Sequence, residues 1–412
     1  MEVVHEYCCG LDVHKDIIVA VLLTPGKGAK PTRELRTFGA FTHDIREMAA
    51  WLSEAGCTDV AMESTGSYWK PVYNLLEERF KLLITNAYHL KSVPGRKRDV
   101  KDAEWIAQLH RHGLLRPSFI PDKEQRELRE LTRYRTTLTR ERAAEVNRIQ
   151  KVLEGANIKL GSVVSDVLGV SGREMLEQLV RGAYDPQVLA TLARGTMRKK
   201  KDALEAALEG LVEKHQRFML REQLQHVDEL DARIGRLEAE IEERLGEENL
   251  ERELLDGIPG VARAVAEGIL AEVGPSVEHF ENDRAISSWA GVCPGMNESA
   301  GKNKSGKAPK GNKHLRALLV QAAHGLRGTN SFLGALYRRL AARMGVVKAA
   351  LAVAHRILRI AYHVLKEKTP YRELGADYHD ERTKERTEKR HTKALERLGY
   401  QVTLTAVGKS VA

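Results

Sequence analysis

Between Gly10 and Leu23 the chain reads as two apolar strands broken at His14-Lys15-Asp16, and the first carries a carboxylate, Asp12, inside Cys9-Gly10-Leu11-Asp12-Val13-His14. Segments this short and this apolar belong in a sheet with little surface left to water. A charge in such a strand is costly unless it is paired or holds a metal. The chain must therefore build a sheet domain and give Asp12 a cationic partner or a metal ion.

The following residues extend that domain. Arg33 to Ala40 reads as a strand, Ile45 to Ala55 as a helix, Val60-Ala61-Met62 as a short apolar run ending at Glu63, Tyr73 to Phe80 as a helix and Lys81 to Ile84 as a strand. This alternation predicts a mixed α/β domain whose strands deliver polar residues to one end, where open α/β sheets place their sites. From Glu124 to Gly155 the pattern turns helical, with Leu128, Leu131, Leu138, Val146, Ile149 and Leu153 on one face. The other face carries Arg126, Arg129, Arg133, Arg135, Arg140, Arg142 and Arg148, an array expected to meet phosphates, a solvated face being the simpler alternative.

Residues 156–200 suggest short helices at Ser165 to Leu168 and Glu174 to Arg181, and Ala203 to Leu245 reads as one uninterrupted helix. Within it Val227, Leu230, Ile234, Leu237 and Ile241 step by threes and fours, which fits a coiled-coil dimer contact and an intramolecular helical hairpin equally well. A new unit starts near Leu254, where Ile258-Pro259-Gly260-Val261 interrupts two helical segments. Leu254 to Gly274 resembles a helix-hairpin-helix, with Ala262 at the position of that motif's second glycine, so that a DNA-gripping turn and a purely structural one both remain open. Helices at Ala317 to Gly325 and Val346 to Glu367 precede a charged segment, Asp380 to Arg397, and a strand-like Gln401 to Val407, a tail expected to be ordered only in part. The fold class is therefore α/β plus α, and 412 residues suggest two or three domains.

Sixty-six Lys and Arg against 57 Asp and Glu give a net charge of +9, which favours a polyanionic partner such as nucleic acid or an acidic membrane face. The longest apolar run, Ile17 to Leu23, falls far short of the ~20 residues of a membrane span, and Met1 to Gly10 has no basic leader pattern, so a soluble, unexported protein is expected. Cys8, Cys9, Cys57 and Cys293 form neither a disulfide framework nor a CxxC pair and read as small buried residues in a reducing cytoplasm. The fifteen histidines are scattered without an HxH or HExxH arrangement, so no histidine-based metal site is expected.

Three segments offer carboxylates to a common point: Asp12, Glu63 before the turn-like Ser64-Thr65-Gly66-Ser67, and Asp99 with Asp102 in Arg96-Lys97-Arg98-Asp99-Val100-Lys101-Asp102-Ala103, three apart at a helix start and so on one face. Hard oxygen donors suit Mg²⁺ or Mn²⁺, and two such ions about 4 Å apart serve phosphoryl transfer. Helix-dipole charges at Asp99 and Asp102 and a loop residue at Glu63 are the alternative, which leaves Asp12 unexplained. Farther on, Ser299 to Arg316 holds Lys302, Lys304, Lys307, Lys310, Lys313 and Arg316 and no acid, a glycine-rich phosphate-binding loop by composition. Nothing local supplies the general base that Ser299 or Ser305 would need as a nucleophile.

Taken in order, these motifs resemble those of the IS110-type transposases: Gly10-Leu11-Asp12-Val13-His14-Lys15, Met62 to Trp69, Val93 to Ala103, Ile258-Pro259-Gly260-Val261, Trp289 to Gly295, Asn297 to Lys302 and Lys310-Gly311-Asn312. The resemblance implies a RuvC-like DEDD domain of RNase H fold (1–155, including the arginine-rich helix), a linker and coiled coil (156–250), a transposase domain with a serine loop (251–375) and a charged tail (376–412). It places the DEDD acids on Asp12, Glu63, Asp99 and Asp102 and a catalytic serine on Ser299. It further implies an enzyme that excises and inserts a mobile element with Mg²⁺ or Mn²⁺, guided by an element-encoded non-coding RNA, as a homo-oligomer, dimer or tetramer, in the cytoplasm at the nucleoid. Nucleic-acid contacts are expected at Arg96, Lys97, Arg98, Lys101, Arg126, Arg129, Arg133 and the six basic residues from Lys302 to Arg316. Arg98 stands where a Thr is usual, and Ala308-Pro309 where Thr-Arg is usual. A stand-alone RuvC-like endonuclease, which gives Ser299 no role, and a non-catalytic nucleic-acid scaffold are the competing readings.

Overall fold

The two N-terminal apolar strands form as β1 (Cys8–Val13) and β2 (Ile17–Thr24) of the computed structural model, which describes residues 2–26, 30–64, 66–93, 102–183, 185–246, 249–295, 297–299, 302–306 and 308–404. They pair antiparallel from Cys8↔Leu23 to Val13↔Ile18, turning at the polar His14-Lys15-Asp16. β3 (Thr32–Gly39) adds antiparallel to β2, while β4 (Asp59–Glu63) and β5 (Lys81–Thr85) run parallel to β1, giving the order β3-β2-β1-β4-β5. Among the described residues of this unit the helices are α1 (Thr42–Glu54), α2 (Trp69–Leu76), α3 (Ala87–Ser92) and α4 (Asp102–Arg111).

The period of two along β1 sorts its residues between two cores. Cys9, Leu11 and Val13 join Ile45, Met48 and Leu52 of α1 and Leu76 of α2. Cys8 joins Val21, Leu23 and, from α4, Ala103 and Ala107. Gly10 lies on that second face, and a Cβ there would stand 2.3 Å from the Ala103 carbonyl oxygen and 2.4 Å from the Ala107 nitrogen. Glycine at this position is what lets α4 rest directly on β1.

The chain divides by packing after Pro121. The second unit is helical: α5 (Lys123–Gly155), α6 (Leu160–Val163), α7 (Val170–Arg181), α8 (Pro186–Ala190), α9 (Lys201–Leu208), α10 (Lys214–Leu245), α11 (Leu250–Asp256), α12 (Arg263–Val273) and α13 (Asp283–Ala290) lead to a hairpin, β6 (Asn297–Ser299) and β7 (Lys302–Ser305). Four helices follow, α14 (Lys313–Gly325), α15 (Phe332–Met344), α16 (Val346–Glu367) and α17 (Tyr378–Arg397). The arginine-rich α5 packs within this unit.

α5 and α10 run antiparallel, with ion pairs Glu127–Arg244, Arg142–Asp231 and Glu145–His226 marking the register. Of the apolar seam of α10, Val227, Leu230 and Ile241 are buried within the chain, while Ile234 and Leu237 are half-buried. The uninterrupted helix expected from Ala203 to Leu245 breaks at residues 209–213. There Leu211 N–H donates to the Ala156 carbonyl at 2.8 Å, and a Cβ at Gly210 would stand 2.4 Å from that same oxygen, so the chain leaves the helix to pass against this turn.

Three other expectations change. Ser165 to Leu168 is not helical, and α7 begins at Val170. The charged Asp380 to Arg397 is helical, its first turn anchored by Tyr378 and His379 against the Phe332 ring at 5.3 and 4.7 Å between centroids. Glu, Lys and Arg are good helix formers, and that propensity outweighs the lack of buried surface along the rest of α17. Residues 401–404 form no strand, and the remainder of the expected Gln401 to Val407 strand lies outside the described residues.

Candidate functional site

Asp12 and Glu63 meet at the carboxyl ends of adjacent parallel strands, each one residue beyond the Leu11↔Met62 pair. Asp12 shares the β1 face of Gly10, which is covered by α4. Glu63 shares the β4 face of Ala61, which packs with Ile106 and Leu109 of α4. Asp102 is the first residue of that same helix. The fold therefore brings three of the four expected acids to one end and one face of the sheet; the fourth, Asp99, and the neighbouring Arg96, Lys97, Arg98 and Lys101 lie outside the described residues. In an open sheet this edge, where the chain's connections depart to opposite sides of β1, is where ligands bind.

The surroundings are polar. Asp12 is 28% exposed, with His14 Nε2 3.1 Å from its Oδ2. Beside Glu63 in register stands Thr85, fully buried, whose Oγ1 has no hydrogen-bond partner among the described residues. A buried hydroxyl left unsatisfied is uncommon and is readily met by a metal-bound water or a substrate oxygen. The donor set, hard carboxylate oxygens on one face, fits Mg²⁺ or Mn²⁺. Asp12, Glu63 and Asp102 do not close to within 4.8 Å of one another.

The serine segment forms a β-hairpin where a loop was expected. Ser299 ends β6, paired with Lys302 across the tip. The sequence motifs on either side are the hairpin's feet. α13 closes at Gly291, in the left-handed conformation (φ +70°), and Gly311 lies against it, where a Cβ would stand 2.4 Å from Gly291 N. Asn312 N–H donates to the Trp289 carbonyl at 3.0 Å, and its side chain caps α14 by accepting from His314 and Leu315 N–H.

From that cap Asn312 Nδ2 donates to Glu272 Oε2 at 2.6 Å. Glu272, 1% exposed, also receives both arms of Arg133 at 2.6 and 2.7 Å. Arg129 donates to the carbonyls of Ala271 and Glu272. Burial drives the Glu272 carboxyl upward, but the Arg133 hydrogen bonds and charge, then Asn312 and Arg129, outweigh it and hold the carboxyl below its ordinary range. Burial brings Arg129 down to about 10, only partly offset by Glu272. Arg135 pairs with Glu267, Arg142 with Asp231 and Arg148 with Glu145.

Much of the arginine face expected to meet phosphate is thus occupied within the fold, Arg129 and Arg133 above all. The reason is that α12 presents buried carboxylates to α5, and a buried acid takes the nearest guanidinium. The sequence signal was present as Glu267 and Glu272 in a helix that is otherwise apolar after Arg263; Arg263 reaches Glu267 from the same helix, whereas Glu272 needs a cation from elsewhere in the chain. The segment resembling a helix-hairpin-helix does form two helices, α11 and α12, about a turn with Gly260 at φ +85°, and that glycine packs against Ala322 and Leu326 of the same unit.

Burial pushes the Cys8 and Cys57 thiols up to about 12 and the Cys9 thiol well above its ordinary value, as expected of inert core residues. No helix among the described residues is long and apolar enough to cross a membrane.

Comparison with known proteins converges on one family. Residues 9–158 match the DEDD transposase model of the IS110 type, and residues 252–338 match the transposase model of the IS116/IS110/IS902 family. The two matches together span more than half of the chain. A relative described as a probable family 20 transposase, from Pseudomonas aeruginosa, is 25% identical over 325 residues, which cover 76% of this chain and 85% of the relative.

Proposed function

Since the chain belongs to the IS110-type transposase family, we propose that it is an RNA-guided recombinase that cuts, exchanges and rejoins the DNA strands of a mobile element. The observation that carries this reading is the convergence of Asp12, Glu63 and the start of α4 at Asp102 on one face at one end of a mixed sheet. These three acids with Asp99 hold Mg²⁺ or Mn²⁺, in a domain of RuvC-like, RNase H type. Bound there, the metal neutralises charge building on the phosphate oxygens.

Ser299 is the nucleophile. Its Oγ forms a bond to phosphorus as the bond from phosphorus to one flanking sugar oxygen breaks, and the serine proton ends on that departing oxygen. The products are a phosphoserine-linked strand and a free hydroxyl. Rejoining reverses the step with the hydroxyl of another strand, so the phosphoester bond is conserved and no energy source is consumed. The base that relieves Ser299 of its proton is not adjacent in sequence, which fits an active centre completed by the acids of another subunit in a homo-oligomer. Lys302, Lys304, Lys307, Lys310, Lys313 and Arg316 hold the phosphates beside the serine, and the element's non-coding RNA selects target and donor by base pairing. Such a protein works in the cytoplasm at the nucleoid.

The test purifies the full chain with its co-purifying RNA, adds Mg²⁺ and element-junction DNA, and looks for DNA attached to Ser299. An adduct lost in Ser299→Ala supports the recombinase. Metal-dependent cleavage that persists in Ser299→Ala identifies a metal-water endonuclease instead, and activity surviving Asp12→Ala with Asp102→Ala removes the acidic site from the chemistry.

A further inference from the structure

One group of ligating side chains has no part in the chemistry above. His5, ahead of β1, Asp59, the first residue of β4, and His110, near the end of α4, each place one ligand atom within 4.8 Å of the other two. β4 runs from Asp59 to Glu63 and α4 from Asp102 to Arg111, so this group stands at the end of the sheet opposite the acids.

His110 is the telling member. It is 2% exposed, and among the described residues neither of its ring nitrogens has a hydrogen-bond partner. An imidazole carries two nitrogens that must donate or accept, and burying both unmet is costly. His5 Nδ1 lies 3.2 Å from Asp59 Oδ1, and the His5 and His110 rings stack with centroids 4.5 Å apart. A simple His5–Asp59 ion pair accounts for two of the residues and leaves His110 unexplained. A cation bound by all three accounts for each of them.

We propose that His5, Asp59 and His110 form a second metal site, separate from the DEDD acids, which takes a zinc-class divalent cation through two imidazole nitrogens and one carboxylate oxygen, with water completing the shell. Imidazole with a single carboxylate is a donor set of borderline softness, suited to Zn²⁺ and poorly suited to Mg²⁺. The site staples three parts of the domain. The N-terminal segment already leans on α4, since Val4 and His5 N–H both donate to the Arg111 carbonyl, at 2.9 and 3.1 Å. A cation there fixes the C-terminal end of α4, whose first residue, about 12 Å away along the helix axis, is Asp102. The metal is structural, and its effect on the acids is one of positioning.

The experiment uses the full chain carrying Asp12→Asn and Glu63→Gln, which empties the acidic end, stripped with a chelator and titrated with Co²⁺. The expected result is one equivalent bound with the visible absorption of a low-coordinate cobalt centre, displaced by Zn²⁺, and a melting temperature raised by Zn²⁺. His5→Ala and Asp59→Asn, at partly exposed positions, should each weaken cobalt binding by roughly 100-fold or more and abolish the zinc-dependent rise in melting temperature. His110→Ala should do the same, and if it fails to fold the other two variants decide. Absence of a stoichiometric cobalt spectrum, or a spectrum indifferent to His5→Ala and Asp59→Asn, overturns the proposal. Neither readout depends on DNA cleavage, so the metal site stands or falls independently of the recombinase reading.

Discussion

The close approach at Gly10 offers the sharpest test of how this fold serves its acids. In Gly10→Ala the new methyl group would lie 2.3 Å from the Ala103 carbonyl oxygen and 2.4 Å from the Ala107 nitrogen, both backbone atoms of α4, whereas ordinary contact begins at 3.4 Å. Neither atom can rotate away, so α4 must withdraw from β1 by about 1 Å. Overpacking of this kind costs about 1–3 kcal/mol, and it moves Asp102, next to Ala103, relative to Asp12 and Glu63. A displacement of about 1 Å at a reacting centre costs on the order of 10²-fold in rate. Urea unfolding should show a lower midpoint at unchanged slope, and Mg²⁺-dependent cleavage of element-junction DNA should fall by about two orders of magnitude. Gly235→Ala is the matched control, because a Cβ there meets nothing within 4 Å and lies inside α10; it should gain about 0.5–1 kcal/mol and keep full activity. A Gly10→Ala protein with the stability of the parent and activity within about threefold of it would refute the argument that α4 seats Asp102 through this contact.

Glu272→Ala removes the acid that joins Arg133, Arg129 and Asn312 and leaves cations stranded. With Arg133 35% exposed the loss should sit near the lower end of the range for a broken buried pair, about 3 kcal/mol by urea titration. The same carboxyl gives the protein an acid-sensitive element. Its folded pKa lies below its ordinary 4.5, so its contribution is complete above that value and is lost as the pH falls through the lowered one; Glu272→Gln should flatten the decline in melting temperature below pH 4.5. Asp12→Asn should abolish Mg²⁺-dependent cleavage while leaving the melting temperature nearly unchanged, as measured by gel assay and thermal denaturation. A thiol reagent should label Cys293 first in the native protein, since burial raises the thiols of Cys8, Cys9 and Cys57; mass spectrometry of the labelled peptides checks the order.

The sequence by itself determined the elements whose signals are local. Apolar runs of strand length broken by polar turns define β1 to β5 within a residue or two, and the cost of a charge in an apolar strand marked Asp12 before any partner was known. Ordered motifs identified the family, and the family models agree. Tertiary structure decided what depends on distant partners. Arg129, Arg133 and Arg135 of α5 looked outward on the helical wheel because Glu267 and Glu272, their partners, lie well over a hundred residues away. The break before α10 depends on Gly210 meeting the backbone of Ala156, a contact with no signature within the helix pattern itself. His5, Asp59 and His110 share no spacing rule, because a strand start, a helix end and the segment leading into β1 are brought together only when the sheet forms. A periodic pattern is written by the backbone geometry of one element and can be read from it, whereas convergence is written by packing between elements, which becomes visible only in the folded chain.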